Sequence, residues 1–165
     1  MTFNIRFGAG SEAPGKPGYD VPSSQAKILA VAEAISSVDP DVAALQEVRD
    51  AEQAGRIARL VGMKYVYTRH PTAYSLDFFE WGLAFLFHPD QRRVDNPDLE
   101  DGSGGRMRRK LLAITLDAEE KPLSLVNAHF DHQRTLQQAE CLAGLVFAGN
   151  RPQVLMGDFN CPAED

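Results

Sequence analysis

Val154-Leu155-Met156-Gly157-Asp158-Phe159-Asn160 is an apolar run that stops at a glycine and then presents a carboxylate and a carboxamide. Residues i and i+2 of a strand point to the same face, so the run predicts a strand that delivers Asp158 and Asn160 side by side at its end. Such a pair suits a hard cation or a phosphate oxygen. The same two residue types also close strands as plain Asx turns, and the stretch alone does not separate the two readings.

Three other segments end in the same way. In Thr2-Phe3-Asn4-Ile5-Arg6-Phe7, apolar Phe3, Ile5 and Phe7 alternate with polar Thr2, Asn4 and Arg6 at the strand period, which puts Asn4 on the polar face. Asp41 to Val48 is a β-type run lying between two helical patterns and closing on Gln46 and Glu47. A carboxylate there is an oxygen ligand of the kind magnesium takes in small number, beside water and substrate oxygens. Leu123 to His132 is again apolar before it reaches Asn127, His129, Asp131 and His132. Polar clusters at the ends of separate apolar strands are readily gathered into a common site.

Thr2-Phe3-Asn4-Ile5-Arg6, Leu45-Gln46-Glu47-Val48, Asn127-Ala128-His129-Phe130-Asp131-His132, the stretch Arg134 through Gln138-Ala139, and Gly157-Asp158-Phe159-Asn160 follow one another across nearly the whole chain. In wording and order they resemble the endonuclease/exonuclease/phosphatase superfamily, which includes DNase I-like nucleases, apurinic-site endonucleases, sphingomyelinases, inositol-phosphate phosphatases and deadenylase-type enzymes. The resemblance implies an α/β fold, a layered sandwich of two mixed β-sheets flanked by helices. It implies hydrolysis of a phosphodiester or phosphomonoester by in-line water attack, dependent on Mg2+ or Mn2+. The substrate class it leaves open: nucleic acid, nucleotide, phospholipid headgroup or sugar phosphate.

Position by position, Glu47 matches the family's main metal-ligating glutamate and Asn4 the asparagine that supports the same metal region. His129 matches the histidine that contacts the scissile phosphate. Asp158 matches the aspartate that orients or activates the attacking water, and Asn160 its partner on the phosphate or metal. The family continues past Gly-Asp-Phe-Asn to a late Asp-His pair, and here Cys161-Pro162-Ala163-Glu164-Asp165 follows instead. The resemblance therefore implies a single domain over residues 1–165 that is C-terminally incomplete and lacks its last strands. The alternative function is a catalytically incomplete fragment, or a binding module that keeps the fold without the terminal base.

Composition sets outer bounds. With 165 residues, 44% of them hydrophobic, the chain is long enough for one domain with a sizeable core. A formal net charge of -6 argues against a general nucleic-acid coat, which needs positive surface to neutralise phosphates. It leaves a nuclease open, because a bound cation offsets an acidic site locally. Cys141 and Cys161 are far apart and show neither zinc-ligand nor disulfide-framework spacing. His129 and His132 have a superficial ligand spacing, but no thiol or further histidine completes a zinc set. No apolar stretch approaches a membrane span and no signal-peptide layout opens the chain, so a soluble, cytoplasmic protein is favoured, with secretion open if a leader was removed. Oligomeric state is left open.

Helical and strand patterns alternate along the chain. Helices are predicted over Ser24 to Val38, with Ile28, Val31, Ala32 and Ile35 inward; over Asp50 to Val61, with Asp50 and Gln53 as a capping box; and over Gln133 to Phe147, with Leu142, Leu145 and Val146 inward. Lys64 to His70, Gly82 to Phe87 and Gln153 to Met156 read as strands. Arg108 to Leu116 and Pro122 to Phe130 read as a hairpin about the charged turn Asp117 to Lys121. Gly8 to Pro22 and Asp95 to Gly105 read as loops. The basic cluster Arg106-Met107-Arg108-Arg109-Lys110 either pairs with a substrate phosphate or forms a solvated strand edge, and the edge is the reading favoured.

Overall fold

The computed structural model describes residues 1–8, 25–70, 81–88, 92–95, 98–99, 109–118, 121–146 and 152–161. Its elements run β1 (Thr2–Asn4), a 3-10 turn (Arg6–Gly8), α1 (Gln25–Val38), β2 (Val42–Val48), α2 (Ala51–Leu60), β3 (Lys64–Arg69), β4 (Gly82–Phe87), β5 (Arg92–Asp95), β6 (Asp98–Leu99), β7 (Arg109–Lys110), β8 (Leu112–Ala118), β9 (Lys121–His129), α3 (Thr135–Val146) and β10 (Gln153–Asp158). The expected loop over Gly8 to Pro22 lies, from residue 9 on, outside the described residues.

Side-chain parity sorts these strands into layers. One sheet has the order β1-β2-β4-β3 and the other β10-β9-β8-β5, with β6 and β7 paired separately. Both are mixed: β1 runs parallel to β2 and β10 parallel to β9, while the remaining pairs are antiparallel. Phe3, Ala43, Leu45, Val48, Ala84 and Leu86 face α1 and α2, packing on Ile28, Val31, Ile35, Ala54, Ile57 and Ala58. Val42, Ala44, Leu83, Phe85 and Phe87 face the other way and meet Leu112, Ile114, Leu116, Leu125 and Met156 of the second sheet. Val126, Ala128 and Phe130 cover the outer face of that sheet beneath Leu142 of α3. The result is helices, sheet, sheet, helix. β4 is buried along its whole length, which explains why Gly82 to Phe87 reads as a continuous apolar run rather than an alternating one.

Several boundaries move. The first strand stops at Asn4 instead of running to Phe7, because Arg6 (φ 47°) and Phe7 (φ 57°) turn into the left-handed region. Asp50 caps α2 as expected, accepting from the Gln53 amide at 2.7 Å; the Gln53 side chain then accepts from Arg49 N and donates to Phe7 O, tying the helix start to the turn after β1. The hairpin forms, with Ala118 opposite Lys121, but the strand proposed from Arg108 is interrupted at Leu111, between β7 and β8. Asp95 to Gly105 is not wholly loop, since Asp98–Leu99 pairs with Arg109–Lys110. In α3, Leu142 is buried but Leu145 is exposed, contrary to its expected inward position.

Candidate active site

Parity also gathers the polar residues. Thr2 and Asn4, Ala44 and Gln46, Asn127 and His129, Met156 and Asp158 continue the faces that look between the two sheets, so the sandwich interior is apolar for most of its length and polar at one end. Glu47 reaches that end by a different route. Leu45 pairs with Ala84 and Val48 with Gly82, so Gln46 and Glu47 together oppose one residue of β4 in a β-bulge, with Glu47 at φ 54°. Regular alternation would send Glu47 into the α1/α2 core; the bulge shifts the phase by one, puts Val48 there instead, and turns the carboxylate to the rim.

At the rim, Asn4 Nδ2 donates to Glu47 Oε1 at 3.0 Å and to Asp158 Oδ2 at 2.9 Å. The Asn4 oxygen accepts from Arg6 N at 3.0 Å, which fixes the amide with its nitrogen toward the carboxylates. His129 Nε2 lies 3.9 Å from Glu47 Oε1 and 3.9 Å from Asp158 Oδ2. Of the residues expected in a common site, Asn4, Glu47, His129 and Asp158 thus converge from β1, β2, β9 and β10. Asn4 and Asp158 border a cleft of about 460 Å³ that also takes in Thr2, Gln46, Asn160 and Cys161.

Asn160 stands differently from its expected place. β10 ends at Asp158, and Asn160 lies beyond it at φ 47° with its backbone N–H donating to Asp158 Oδ1 at 3.0 Å, an Asx turn rather than a strand-face pair. Its Nδ2 donates to Phe130 O at 2.7 Å, so the residue braces Asp158 and joins the end of β10 to the end of β9. Gly157 makes the approach feasible: at φ 154°, a Cβ would sit 2.1 Å from Ala128 O.

The basic cluster departs from the solvated edge favoured for it. Residues 106–108 lie outside the described set, but the Arg109 guanidinium carbon is 4.0 Å from the Trp81 ring centroid and, among the described residues, its Nη1 is buried without a hydrogen-bond partner. Burial lowers the Arg109 pKa to about 10, against the pull of Asp131, Glu47 and Asp158, so it stays a cation at neutral pH. The same Trp81 meets His129 edge-on at 5.4 Å and His70 at 4.6 Å. His70 Nδ1 accepts from Lys110 N at 2.9 Å, which holds β7 in place. Continuing the hairpin register from Leu112 opposite Asn127 would set Lys110, not Arg109, opposite His129, so the break at Leu111 hides Arg109 from a reading by alternation.

His129 is held neutral. Burial, reinforced by the Arg109 cation, lowers its pKa to about 4, although Asp158 and Asp131 pull the other way. Among the described residues its Nδ1 is buried without a partner, so none of them supports an imidazolium on that side. With Nε2 protonated it is a neutral donor aimed at the carboxylate pair.

The donor chemistry fits a hard divalent cation. Among the described residues no group of three or more His, Cys, Asp and Glu side chains forms a full ligand set. Magnesium asks for less, one or two carboxylates with the remaining positions left to water and substrate oxygens. Two acidic side chains drawn to a single neutral amide nitrogen supply that number.

The comparisons agree with this architecture. Comparison with curated proteins returns no match. An endonuclease/exonuclease/phosphatase from Beutenbergia cavernae superposes with TM-score 0.74 at 23% identity, over 99% of this chain and 47% of that one. A family protein from Leptotrichia buccalis gives 0.71 at 17% identity, over 98% and 66%, and the Bacteroides thetaiotaomicron mannosyl-6-phosphatase Bt3783 gives 0.66 at 18%, over 96% and 64%. The chain thus spans from about half to two-thirds of the length of these structures, and at such identities the likeness is one of fold. The profile of the Endonuclease/Exonuclease/phosphatase family matches residues 1–165 from end to end, and the chain belongs to that family.

Proposed function

We propose that the rim of the two sheets is the catalytic centre of a divalent-cation-dependent phosphoesterase. The observation that carries this reading is the Asn4 amide held between Glu47 and Asp158 with the His129 donor 3.9 Å from both. Glu47 would hold Mg2+ or Mn2+ through its carboxylate, with Asn4 bordering the same place. When bound, the ion supplies Lewis-acid polarisation of a phosphoryl oxygen and charge compensation on the leaving oxygen.

The chain's own residues do the rest. Asp158, braced through both oxygens by Asn4 and by the Asn160 backbone, orients a water for in-line attack on phosphorus. His129 donates from Nε2 to a non-bridging oxygen, and Asn160 retains one N–H proton and its carbonyl oxygen for the same face. Negative charge spread over the phosphoryl oxygens is the main electrostatic demand of this reaction, and Arg109, a largely buried cation that feels Glu47 and Asp158, answers it at longer range. That a mannosyl-6-phosphatase shares the fold supports keeping sugar phosphates among the substrates, beside nucleic acids, nucleotides and phospholipid headgroups.

The test is a screen of the whole protein against these ester classes, with and without Mg2+ or Mn2+, alongside Glu47→Ala and Asp158→Ala. Metal-dependent turnover lost in both variants is expected. Turnover indifferent to metal, or retained in both, overturns the assignment; saturable binding without turnover would leave a binding module.

A further inference from the structure

Between the two sheets, immediately behind the rim, lies a pair of buried amides that the reaction does not touch. Asn127 is fully buried on β9, and its Nδ2 crosses the sandwich to donate to Leu45 O and to Ala84 O, each at 3.0 Å. Its Oδ1 accepts from Gln46 Nε2 at 2.7 Å, and Gln46 also reaches Ala44 O at 3.2 Å and Thr2 Oγ1 at 3.1 Å. Leu45 and Ala84 face each other as the last regular pair before the bulge that turns Glu47 outward. Asn127 therefore grips that bulge on both strands, and from the opposite sheet.

An apolar side chain would fill the same space but take one donor from each of these buried carbonyls and the acceptor from Gln46 Nε2, which is costly to the fold. An amide satisfied on both ends instead specifies one arrangement of the layers. Its place on the chain gives that arrangement a purpose. His129 follows Asn127 by two residues on the same strand face, and Glu47 follows Gln46 directly, so the inner amide pair and the outer site pair are consecutive rungs between the same two strands.

We propose that Asn127 is a positioning residue: by pinning the carbonyls beside the bulge, it fixes the Glu47 carboxylate against His129 and Asp158. Its kinetic consequence rests on the phosphoesterase reading; its structural consequence does not. Asn127→Leu and Asn127→Asp remove the donors while keeping most of the volume. The whole protein and both variants are compared for thermal unfolding, for kcat and KM on a generic phosphodiester across a Mn2+ titration, and for amide hydrogen exchange over residues 45–48 and 82–84.

The expected result, per folded molecule, is a fall in kcat of about 10- to 100-fold with KM within about twofold, a raised Mn2+ requirement, and faster exchange at the bulge. Unchanged kcat, Mn2+ requirement and exchange, whatever the melting temperature, would overturn the proposal. A wild type without turnover would refute the phosphoesterase reading, and the exchange data would still decide the role of Asn127. Should neither variant fold, Gln46→Leu, which removes the side-chain partner of Asn127, carries the same three measurements with the same two outcomes.

Discussion

The guanidinium carbon of Arg109 lies 4.0 Å from the Trp81 ring centroid, while Trp81 and His129 meet at 72° with their centroids 5.4 Å apart. One tryptophan ring thus touches both the cation and the imidazole of the site, and Arg109 still acts electrostatically on His129. For a buried Arg the planar stack matters as much as the charge. Arg109→Lys is expected to behave almost as poorly as Arg109→Gln, each lowering kcat/KM on a phosphoester by on the order of 10²-fold while the melting temperature changes little. Steady-state kinetics on both variants checks this, and a lysine variant with wild-type efficiency would show that only charge is needed.

Asn4 gives a complementary prediction. Removing its amide in Asn4→Ala frees two acidic groups that now converge on one nitrogen, and their separation should grow. Activity at saturating Mg2+ is expected to drop about 10- to 100-fold, the size associated with partners that orient a metal ligand. A metal titration followed by calorimetry reports the accompanying loss of affinity.

The buried histidines set a direction for acid sensitivity. His129 titrates near 4 in the folded protein, and His70, fully enclosed beside Arg109, is also held below its usual range by burial. Between pH 6.5 and 4 the unfolded chain therefore binds more protons at these positions than the native one, and stability falls as pH falls. Above pH 6.5 their contribution is complete. Thermal unfolding without metal, measured across this window, should decline more shallowly in His129→Gln than in the wild type.

Gly157→Ala tests the close approach of β10 to β9. A methyl group there would overlap Ala128 O at 2.1 Å, on a backbone at φ 154° that side chains rarely adopt. A loss of about 3 kcal/mol is expected in urea unfolding, from strain and a displaced strand end. Because the next residue is Asp158, whatever fraction folds should also turn over slowly.

Much of this was legible in the sequence because side-chain alternation carries it. Phe3 and Ile5, the runs of β2 and β9, and the helix stripe Ile28, Val31, Ala32, Ile35 take the sides their spacing dictates, and four of the five site residues meet. What alternation could not show was where it breaks. The bulge at Glu47 and the left-handed residues Arg6, Phe7 and Asn160 are backbone decisions made by tertiary contacts, and no local pattern marks them. Arg109 was misjudged for a related reason. A basic run looks solvated when read alone, and only the break in the strand at Leu111 and the ring of Trp81 set one member against the site.

Glu47 and Asn4 belong to one sheet, His129 and Asp158 to the other, so the candidate site is assembled across a seam. A slight parting of the halves would scatter them long before either sheet lost its own ladder. On slow heating, turnover should therefore fade some degrees below the transition seen by circular dichroism, making catalysis the earliest gauge of how tightly the halves are shut.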